Sequence, residues 1–447
     1  MKLKSIFLSC FIMVVSFVLI FAACTNENNV NPDDTAQDKS HTTDRFNEET
    51  KSGDESESSE EETTLRKDTT EDSSENPTVP HTEHIYSEGS NVCSDCGYIK
   101  GTNDYIIFEI KNGACSVIGA EINILTYLVL PDTYRDCPVT EIGVDAFKGC
   151  DYLASVEISD SVTNIGAGAF SYCRILENVS IPDNVTIIAN NLFEGCRMLS
   201  RIHIPDSVTN IGDSAFYNCT SLDEVIIPNG VTSIGHSAFE RCESLSAISV
   251  PEGIKNISYS VFKDCYALKE ITIPGSVTAI KDNAFSGCGS LREIDIPDSV
   301  TKIGTGAFEN CIELTEISIP AGVTEIEDRV FQNCAGLLKV VIPDSVTIIG
   351  NNAFSECRSL ETIDLPDGVT KIGSGAFSSC NDLINITIPQ NIEIIDNSTF
   401  SNCSSLAEII IPGSVKKIGN CAFSECDSLV SVSIPDSVTE FDELTFS

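Results

Sequence analysis

The side chains best suited to metal chemistry lie in one short segment, residues 81–100. His81 and His84 are three residues apart, and Cys93 and Cys96 form a C-x-x-C pair followed by a glycine. Two imidazoles and two thiolates are a ligand set that tetrahedral zinc takes in proteins. The two cysteines could instead form a local disulfide or redox pair, or remain unliganded thiols. A structural zinc is therefore a hypothesis for this segment, and no other cofactor is expected.

No catalytic motif accompanies these residues. The other histidines are His41, in the acidic N-terminal stretch, and His203 and His236, in different repeats at different registers. The chain has no nucleophile elbow, phosphate loop or H-E-x-x-H sequence. A redox role for the C-x-x-C pair is the only enzyme-like alternative, and nothing resembling a thioredoxin fold surrounds it. We predict that the protein is not an enzyme.

The first 23 residues carry the features of an export signal. Two lysines precede an almost unbroken apolar run over residues 5–21, and two alanines then precede Cys24. The stretch 20–24, I-F-A-A-C, resembles the lipobox of bacterial lipoproteins, although Phe21 stands where leucine is usual. The resemblance implies that Cys24 is lipidated and anchors the protein to a bacterial membrane. An ordinary secretory signal or a single membrane anchor is the alternative, and each would export the rest of the chain.

An acidic stretch follows, which we predict to be a disordered stalk over residues 24–80. It is rich in Ser, Thr, Glu, Asp and Asn, and residues 25–80 contain 17 acids against 5 bases. So few apolar side chains cannot offset the entropy lost on ordering. The whole chain has a net charge of −40, which repels phosphate backbones and makes nucleic acid an unsuitable partner.

Residues 101–138 are predicted to form an N-terminal cap and an irregular first repeat. Asn112-Gly113 separates two β-rich runs, which is a strong signal for a β-hairpin. A second apolar stretch, residues 122–130, leads to Pro131, and five extra residues precede the regular motif that begins at Val139. An atypical first unit suits a solenoid, because the open end of a stacked core must be covered.

From Val139 to the end of the chain, one motif recurs every 23 residues. Its phenylalanines run from Phe147 to Phe446, its cysteines from Cys150 to Cys426 and its leucines from Leu153 to Leu429. The unit L-x-x-I-x-I-P-D-S-V-T-x-I-G-x-x-A-F-x-x-C predicts a half-buried strand, a proline turn, a second short extended piece and a tight or helical turn. Stacking thirteen such units should give a continuous parallel sheet roughly 60 Å long.

The motif over residues 139–447 resembles the BspA-type leucine-rich repeats, also called the treponemal class. The resemblance implies a leucine-rich-repeat solenoid with a parallel β-sheet on one face and short extended segments and tight or helical turns on the other. It also implies a cell-surface adhesin or recognition protein. Its ligands would be host extracellular-matrix or serum proteins, or other bacteria. No catalytic residues come with the family.

The repeated cysteines are predicted to be buried, unpaired thiols. Equivalent positions in stacked repeats have parallel Cβ vectors, which is a poor geometry for disulfides. Free cysteine is also among the most buried residue types. The aspartate that often follows the proline is replaced in several units, for example by Gly275 and Ala321, and therefore favours turn chemistry over a calcium site.

The positions that vary between units are the candidates for ligand binding. They lie on the strand, point away from the core and are mostly small, polar or acidic. From them we predict a ligand-binding set: Glu157, His203, Glu270, Arg292, Asp295, Glu316, Lys339 and Asp364. The chain has no Trp, and the strands that carry these positions contain no Tyr, so a stacking platform for sugars is not expected. A broad protein-binding surface suits the face better. A carbohydrate- or cell-wall-binding scaffold without a host partner is the alternative, as is a merely solvated sheet surface.

The last unit stops at Phe446-Ser447, before the cysteine of its motif. We expect this end to expose part of an apolar layer. Either the layer pairs with another molecule, end to end, or the gene product is truncated.

Overall fold

The computed structural model describes residues 105–120, 126–442 and 444–446. These residues form a β-solenoid of strands and turns, and no helix lies among them. The predicted signal (1–23), stalk (24–80) and His/Cys segment (81–100) fall outside the described residues, together with Cys24, His81, His84, Cys93 and Cys96.

A β-hairpin begins the described chain, as the Asn-Gly signal predicted. Strands β1 (Ile106–Lys111) and β2 (Ala114–Ala120) pair antiparallel around Asn112, which has a φ of 54°. β2 then pairs in parallel with β5 (Cys137–Ile142), whose other neighbours are β4 (Thr133–Tyr134) and the first regular unit. The hairpin therefore adds its strand β2 to the N-terminal end of a parallel ladder that continues into the first regular unit.

The first extended piece of each unit lies on one face, which we call the strand face; it forms a strand in every described unit except that of residues 291–297. Its strands are β3 (Tyr127–Val129), β6 (Ser155–Glu157), β8 (Asn178–Ser180), β10 (Arg201–His203), β12 (Glu224–Ile226), β14 (Ala247–Ser249), β16 (Glu270–Thr272), β19 (Glu316–Ser318), β21 (Lys339–Val341), β23 (Thr362–Ile363), β25 (Asn385–Thr387), β27 (Glu408–Ile410) and β29 (Ser431–Ser433). The expectation of one continuous sheet was wrong, because these strands form five separate parallel sheets. The strands are only two or three residues long, and not every neighbouring pair of them is joined in a sheet. Backbone hydrogen bonds between the turns also hold successive units together.

The second extended piece of each unit, which the motif predicted, pairs in parallel with its counterparts in neighbouring units; we call these strands the second ladder. Its strands are β7 (Asn164–Ile165), β9 (Ile187–Ile188), β11 (Asn210–Ile211), β13 (Ser233–Ile234), β15 (Asn256–Ile257), β17 (Ala279–Ile280), β18 (Lys302–Ile303), β20 (Glu325–Ile326), β22 (Ile348–Ile349), β24 (Lys371–Ile372), β26 (Ile394–Ile395), β28 (Lys417–Ile418) and β30 (Glu440–Phe441). The isoleucine of this pair points inward and is buried in almost every unit.

The turn before each cysteine is tight and not helical. Two positions per unit have positive φ, one of them two residues before the phenylalanine and the other just before the cysteine, as at Asn283 (57°) and Gly287 (78°). Non-glycine residues also adopt this conformation, for example Arg329 at 57°. The helical alternative is wrong because two left-handed residues within five positions interrupt a right-handed helix.

The phenylalanines form one continuous stack through the core. Neighbouring ring centroids from Phe147 to Phe446 lie 5.3–5.9 Å apart, with interplanar angles of 4–17°. The amide of Phe170 donates a hydrogen bond to the carbonyl of Leu192 one turn on, at 3.1 Å, and equivalent bonds recur along the stack. Ring packing and backbone bonds therefore fix the same spacing between turns.

The cysteine ladder lies beside this stack and contains no disulfide among the described residues. Each thiol from Cys173 to Cys426 donates a hydrogen bond to the carbonyl oxygen of the phenylalanine one unit earlier, with Sγ–O distances of 3.1–3.3 Å. Burial raises the pKa of Cys311 and Cys380 to about 12. The prediction of unpaired thiols is confirmed, but the cysteine is a hydrogen-bond donor as well as a small apolar side chain.

Candidate ligand-binding face

The strand face alternates buried and exposed side chains with the two-residue period of a strand. In β19, Ile317 is 3% exposed and points into the core, whereas Glu316 and Ser318 on either side are exposed. All eight residues predicted to bind ligand are exposed. The face also contains two depressions, and together they collect six of the eight residues.

The first depression, which we call the acidic depression, has a volume of about 440 Å³. Its floor includes the predicted residues Glu270, Asp295, Glu316 and Lys339, together with Glu293. Glu270, Glu293 and Glu316 occupy the same motif position on three successive turns, whose phenylalanine rings lie 5.7 and 5.4 Å apart. No ion pair within the described residues involves any of the four carboxylates.

The second depression, which we call the tyrosine depression, has a volume of about 530 Å³ and contains the predicted Glu157 and His203. The strands of the regular units carry no tyrosine, as expected, but the earlier strand β3 contributes Tyr127, which pairs with Ser155. The hydroxyl of Tyr127 donates to Oε2 of Glu157 at 2.9 Å. The sequence did contain the signal: Leu-Thr-Tyr-Leu-Val-Leu-Pro at residues 125–131 matches the strand motif, but five extra residues displace it from the 23-residue step.

Two predicted residues lie outside both depressions. The Nε of Arg292 lies 3.0 Å from Oε2 of Glu313, so this guanidinium is engaged by the next turn. Asp364, on the unit after the acidic depression, lines neither cavity. The structure therefore brings the predicted residues together in two groups and not in one.

Metal binding is not supported by any cluster in the described part of the chain. No group of three or more His, Cys, Asp or Glu side chains there could hold an ion. The four predicted zinc ligands lie outside the described residues. The same ranges contain no helix with the length and apolar character needed to cross a bilayer.

A uniform stacked core carrying one exposed strand face, whose residues change from unit to unit, defines a leucine-rich-repeat protein. The chain belongs to the BspA-type leucine-rich repeat family, whose model matches residues 124–246, 209–338 and 324–447. The family and the fold expected from the repeat are thereby confirmed.

Two solved structures are similar to this chain over most of its length. A leucine-rich cell surface protein from Faecalibacterium prausnitzii A2-165 is 32% identical, with a TM-score of 0.51, and the match covers 77% of this chain and 94% of that one. A leucine-rich repeat protein from Bacteroides ovatus ATCC 8483 is 28% identical, also with a TM-score of 0.51, over 76% of this chain and 99% of that one. No curated protein matches the chain.

Proposed function

We propose that this protein is a bacterial cell-surface recognition protein, or adhesin, that binds protein ligands through its strand face. One observation carries the proposal: thirteen turns keep the same core residues, while the exposed strand positions differ from turn to turn. A scaffold under purely structural constraint has no need of such variety on one face. The similar protein from Faecalibacterium prausnitzii is itself described as a cell surface protein.

The acidic depression favours a basic segment of the protein ligand. Like charges on neighbouring turns repel each other, and among the described residues the carboxylates of Glu270, Glu293 and Glu316 form no ion pair, although Lys269 and Lys339 line the same depression. A lysine- or arginine-bearing segment would relieve the repulsion and would be attracted by a chain of net charge −40. The neighbouring Val341, which is 46% exposed, offers an apolar contact beside the charges.

The N-terminal features complete the proposal. A lipid on Cys24 would hold the protein on the bacterial surface, and the acidic stretch to residue 80 would separate the solenoid from the membrane. A flexible coil of that length spans roughly 40 Å, and charge repulsion extends it further. A structural zinc at residues 81–100 and pairing of solenoid ends between molecules remain proposals for the same chain.

Binding of the full chain to a panel of extracellular-matrix and serum proteins tests this function. Charge reversal of Glu270, Glu293 and Glu316 to lysine should abolish saturable binding to a protein ligand. The matched control is Glu325→Lys, which reverses an exposed glutamate on the second ladder. Binding that responds equally to both variants would place the ligand elsewhere, and the absence of any saturable protein ligand would contradict the proposal.

Binding of carbohydrate at the tyrosine depression is the second candidate function. Tyr127 supplies an aromatic ring there, beside the polar side chains of Glu157, Asn178 and His203. An aromatic ring next to convergent hydrogen-bonding groups suits a sugar face. Glycan binding that is lost in Tyr127→Ala and kept in the triple glutamate variant would establish this function in place of the first.

A further inference from the structure

A second surface with interface composition lies on the turns that carry the first three repeated cysteines. We call it the N-terminal ridge and define it by six residues that surround those cysteines: Tyr152, Tyr172, Arg174, Ile175, Arg197 and Met198. It belongs to the turn side of these units and not to the strand face. Aromatic residues, methionine and arginine are the residue types enriched where protein interfaces gain most of their binding energy.

The apolar residues of the ridge are exposed and contiguous. Tyr152, Ile175 and Met198 each lie two residues after a repeated cysteine, so they stack on successive turns. Their exposed fractions are 59%, 37% and 47%. The amide of Met198 donates to the carbonyl of Arg174 at 3.2 Å, which fixes the spacing of the second and third turns. Two residues after the cysteine, none of the ten later turns has a large apolar residue. Tyr266 and Ile312 are exposed large apolar residues on later turns, but each directly follows its cysteine.

The aromatic residue at the middle of the ridge is rigid. The hydroxyl of Tyr172 donates to Oε1 of Glu194 at 2.6 Å, and this bond is the main reason why its pKa is raised. Oε2 of Glu194 accepts a hydrogen bond from Asn191 Nδ2 at 2.7 Å. The ring lies over Gly195, where a Cβ would come within 2.7 Å of Tyr172 Cδ1. A ring fixed before binding loses little conformational entropy in a complex.

The charge of the ridge differs from that of the rest of the molecule. The five positions centred on each of the first three repeated cysteines contain three cationic residues in total, Lys148, Arg174 and Arg197. They also contain two acidic residues, Asp151 and Glu194, so their summed net charge is +1. None of the ten later turns has a net positive charge over the same positions. This stands against a net charge of −40 for the whole chain.

The two arginines are available to a ligand. Arg174 has one long ion pair, 3.5 Å between its Nη1 and Oδ1 of Asp151, and its side chain is 58% exposed. Arg197 is exposed and forms no ion pair within the described residues. Guanidinium groups bind carboxylates in a bidentate manner, and adjacent apolar side chains exclude water from such pairs.

From this arrangement we propose that the N-terminal ridge is a second protein-binding surface, for a partner whose carboxylates flank aromatic or aliphatic side chains. The rest of the solenoid repels an acidic partner, so this chemistry would direct the partner to these three turns. The ridge would act independently of the strand face, which is suited to basic segments. One molecule could therefore hold two ligands of opposite charge.

Random copolymers of amino acids provide defined probes of this surface. We expect a glutamate–tyrosine copolymer to bind the full chain at about 50 mM salt, where Coulomb attraction is only partly screened. Polyglutamate, which lacks the aromatic side chains, should bind more weakly. The double variant Arg174→Glu/Arg197→Glu should weaken copolymer binding by about tenfold or more. The matched control is Arg358→Glu, because Arg358 also directly follows a repeated cysteine, in a distal turn.

A second pair of variants separates apolar contact from charge. Tyr152→Ser/Met198→Ser should weaken copolymer binding by a similar factor, and Ile312→Ser should leave it unchanged. All these side chains are exposed, so far-UV circular dichroism should match that of the unmodified protein. The triple lysine variant of the acidic depression should also keep copolymer binding, which separates failure of this proposal from failure of the proposed function.

Three outcomes would overturn the proposal: no copolymer binding at low salt, equal binding by the arginine double variant, or equal loss in Arg358→Glu. Binding of a neutral oligosaccharide that is lost in Tyr152→Ser/Met198→Ser, with no copolymer binding, would assign the ridge to carbohydrate instead.

Discussion

The buried thiol ladder should make the solenoid unfold in moderately alkaline solution. Burial raises the pKa of every thiol in the ladder above its ordinary value of 9.0, to about 12 at Cys173, Cys311 and Cys380. The folded chain therefore keeps protons that the unfolded chain releases. The stabilising contribution of each thiol is complete below pH 9 and is lost as the pH rises from about 9 towards the folded pKa.

The size of the effect follows from the number of thiols. With an unfolded pKa of 9.0, ionisation of one thiol in the unfolded chain favours unfolding by about 1.4 kcal/mol at pH 10 and about 2.7 kcal/mol at pH 11. Twelve thiols donate to phenylalanine carbonyls. Ionisation of all twelve in the unfolded chain would lower the free energy of unfolding by on the order of 30 kcal/mol at pH 11, which exceeds the usual stability of a domain. Global unfolding should precede ionisation of the folded ladder.

The first measurement is urea unfolding under reducing conditions from pH 7.5 to 10.5, monitored by far-UV circular dichroism. The second is alkylation of the thiols by short pulses of iodoacetamide over the same pH range, read by peptide mass spectrometry. Lysine and tyrosine side chains titrate in the same range, so a variant isolates the thiols. Cys265→Ala/Cys288→Ala/Cys311→Ala should be less stable at pH 8 because it leaves small cavities. Above pH 9, its free energy of unfolding should fall less steeply, by about 4 kcal/mol per pH unit for three thiols.

Two results would refute this reasoning. One is alkylation of the core thiols near pH 9.5 while the circular dichroism of the folded solenoid persists, since the ladder would then ionise without unfolding. The other is an unchanged pH slope in the triple alanine variant, which would mean that other groups cause the alkaline transition.

Three further predictions concern the core, the turns and the N-terminal segment. Phe285→Ala should lower the free energy of unfolding by about 3–5 kcal/mol, because its ring is fully buried between two others; denaturant titration measures this. Arg329 and Gly375 both have positive φ, a conformation that costs glycine less than other residues. Arg329→Gly should therefore raise the melting temperature slightly, and Gly375→Ala should lower it by the equivalent of about 1 kcal/mol. Zinc analysis of the full chain should find one equivalent that is lost in Cys93→Ser/Cys96→Ser, and a metal-free native chain would contradict the zinc hypothesis.

The candidate site was only partly predictable. Exposure of Glu270, Asp295 and Glu316 follows from strand alternation, which is a local property of the sequence. Their separation from Glu157 and His203 into two depressions was not predictable, because it depends on side-chain volumes on neighbouring strands. Tyr127 was missed because five extra residues separate its strand from the regular step, although its own motif is intact.

The N-terminal ridge illustrates the same limit. Tyr152, Ile175 and Met198 are 23 residues apart, and no local pattern distinguishes them from their neighbours. They become one surface because each turn of the solenoid advances by only 5.5–5.8 Å at the rings of these units. Their exposure, and the availability of Arg197, emerge only once the turns are stacked.

By itself the sequence determined the family, the solenoid, the buried phenylalanine and cysteine ladders, and which side of each strand faces solvent. A strict 23-residue period can bury its apolar positions only by stacking, so these features follow from repetition alone. The tertiary structure decided the features that depend on contact between turns. It gave two left-handed residues to each turn, because the chain must reverse within a few residues to return to the core. It also brought each thiol to a carbonyl of the preceding unit, because only stacked turns place those two atoms within hydrogen-bonding distance.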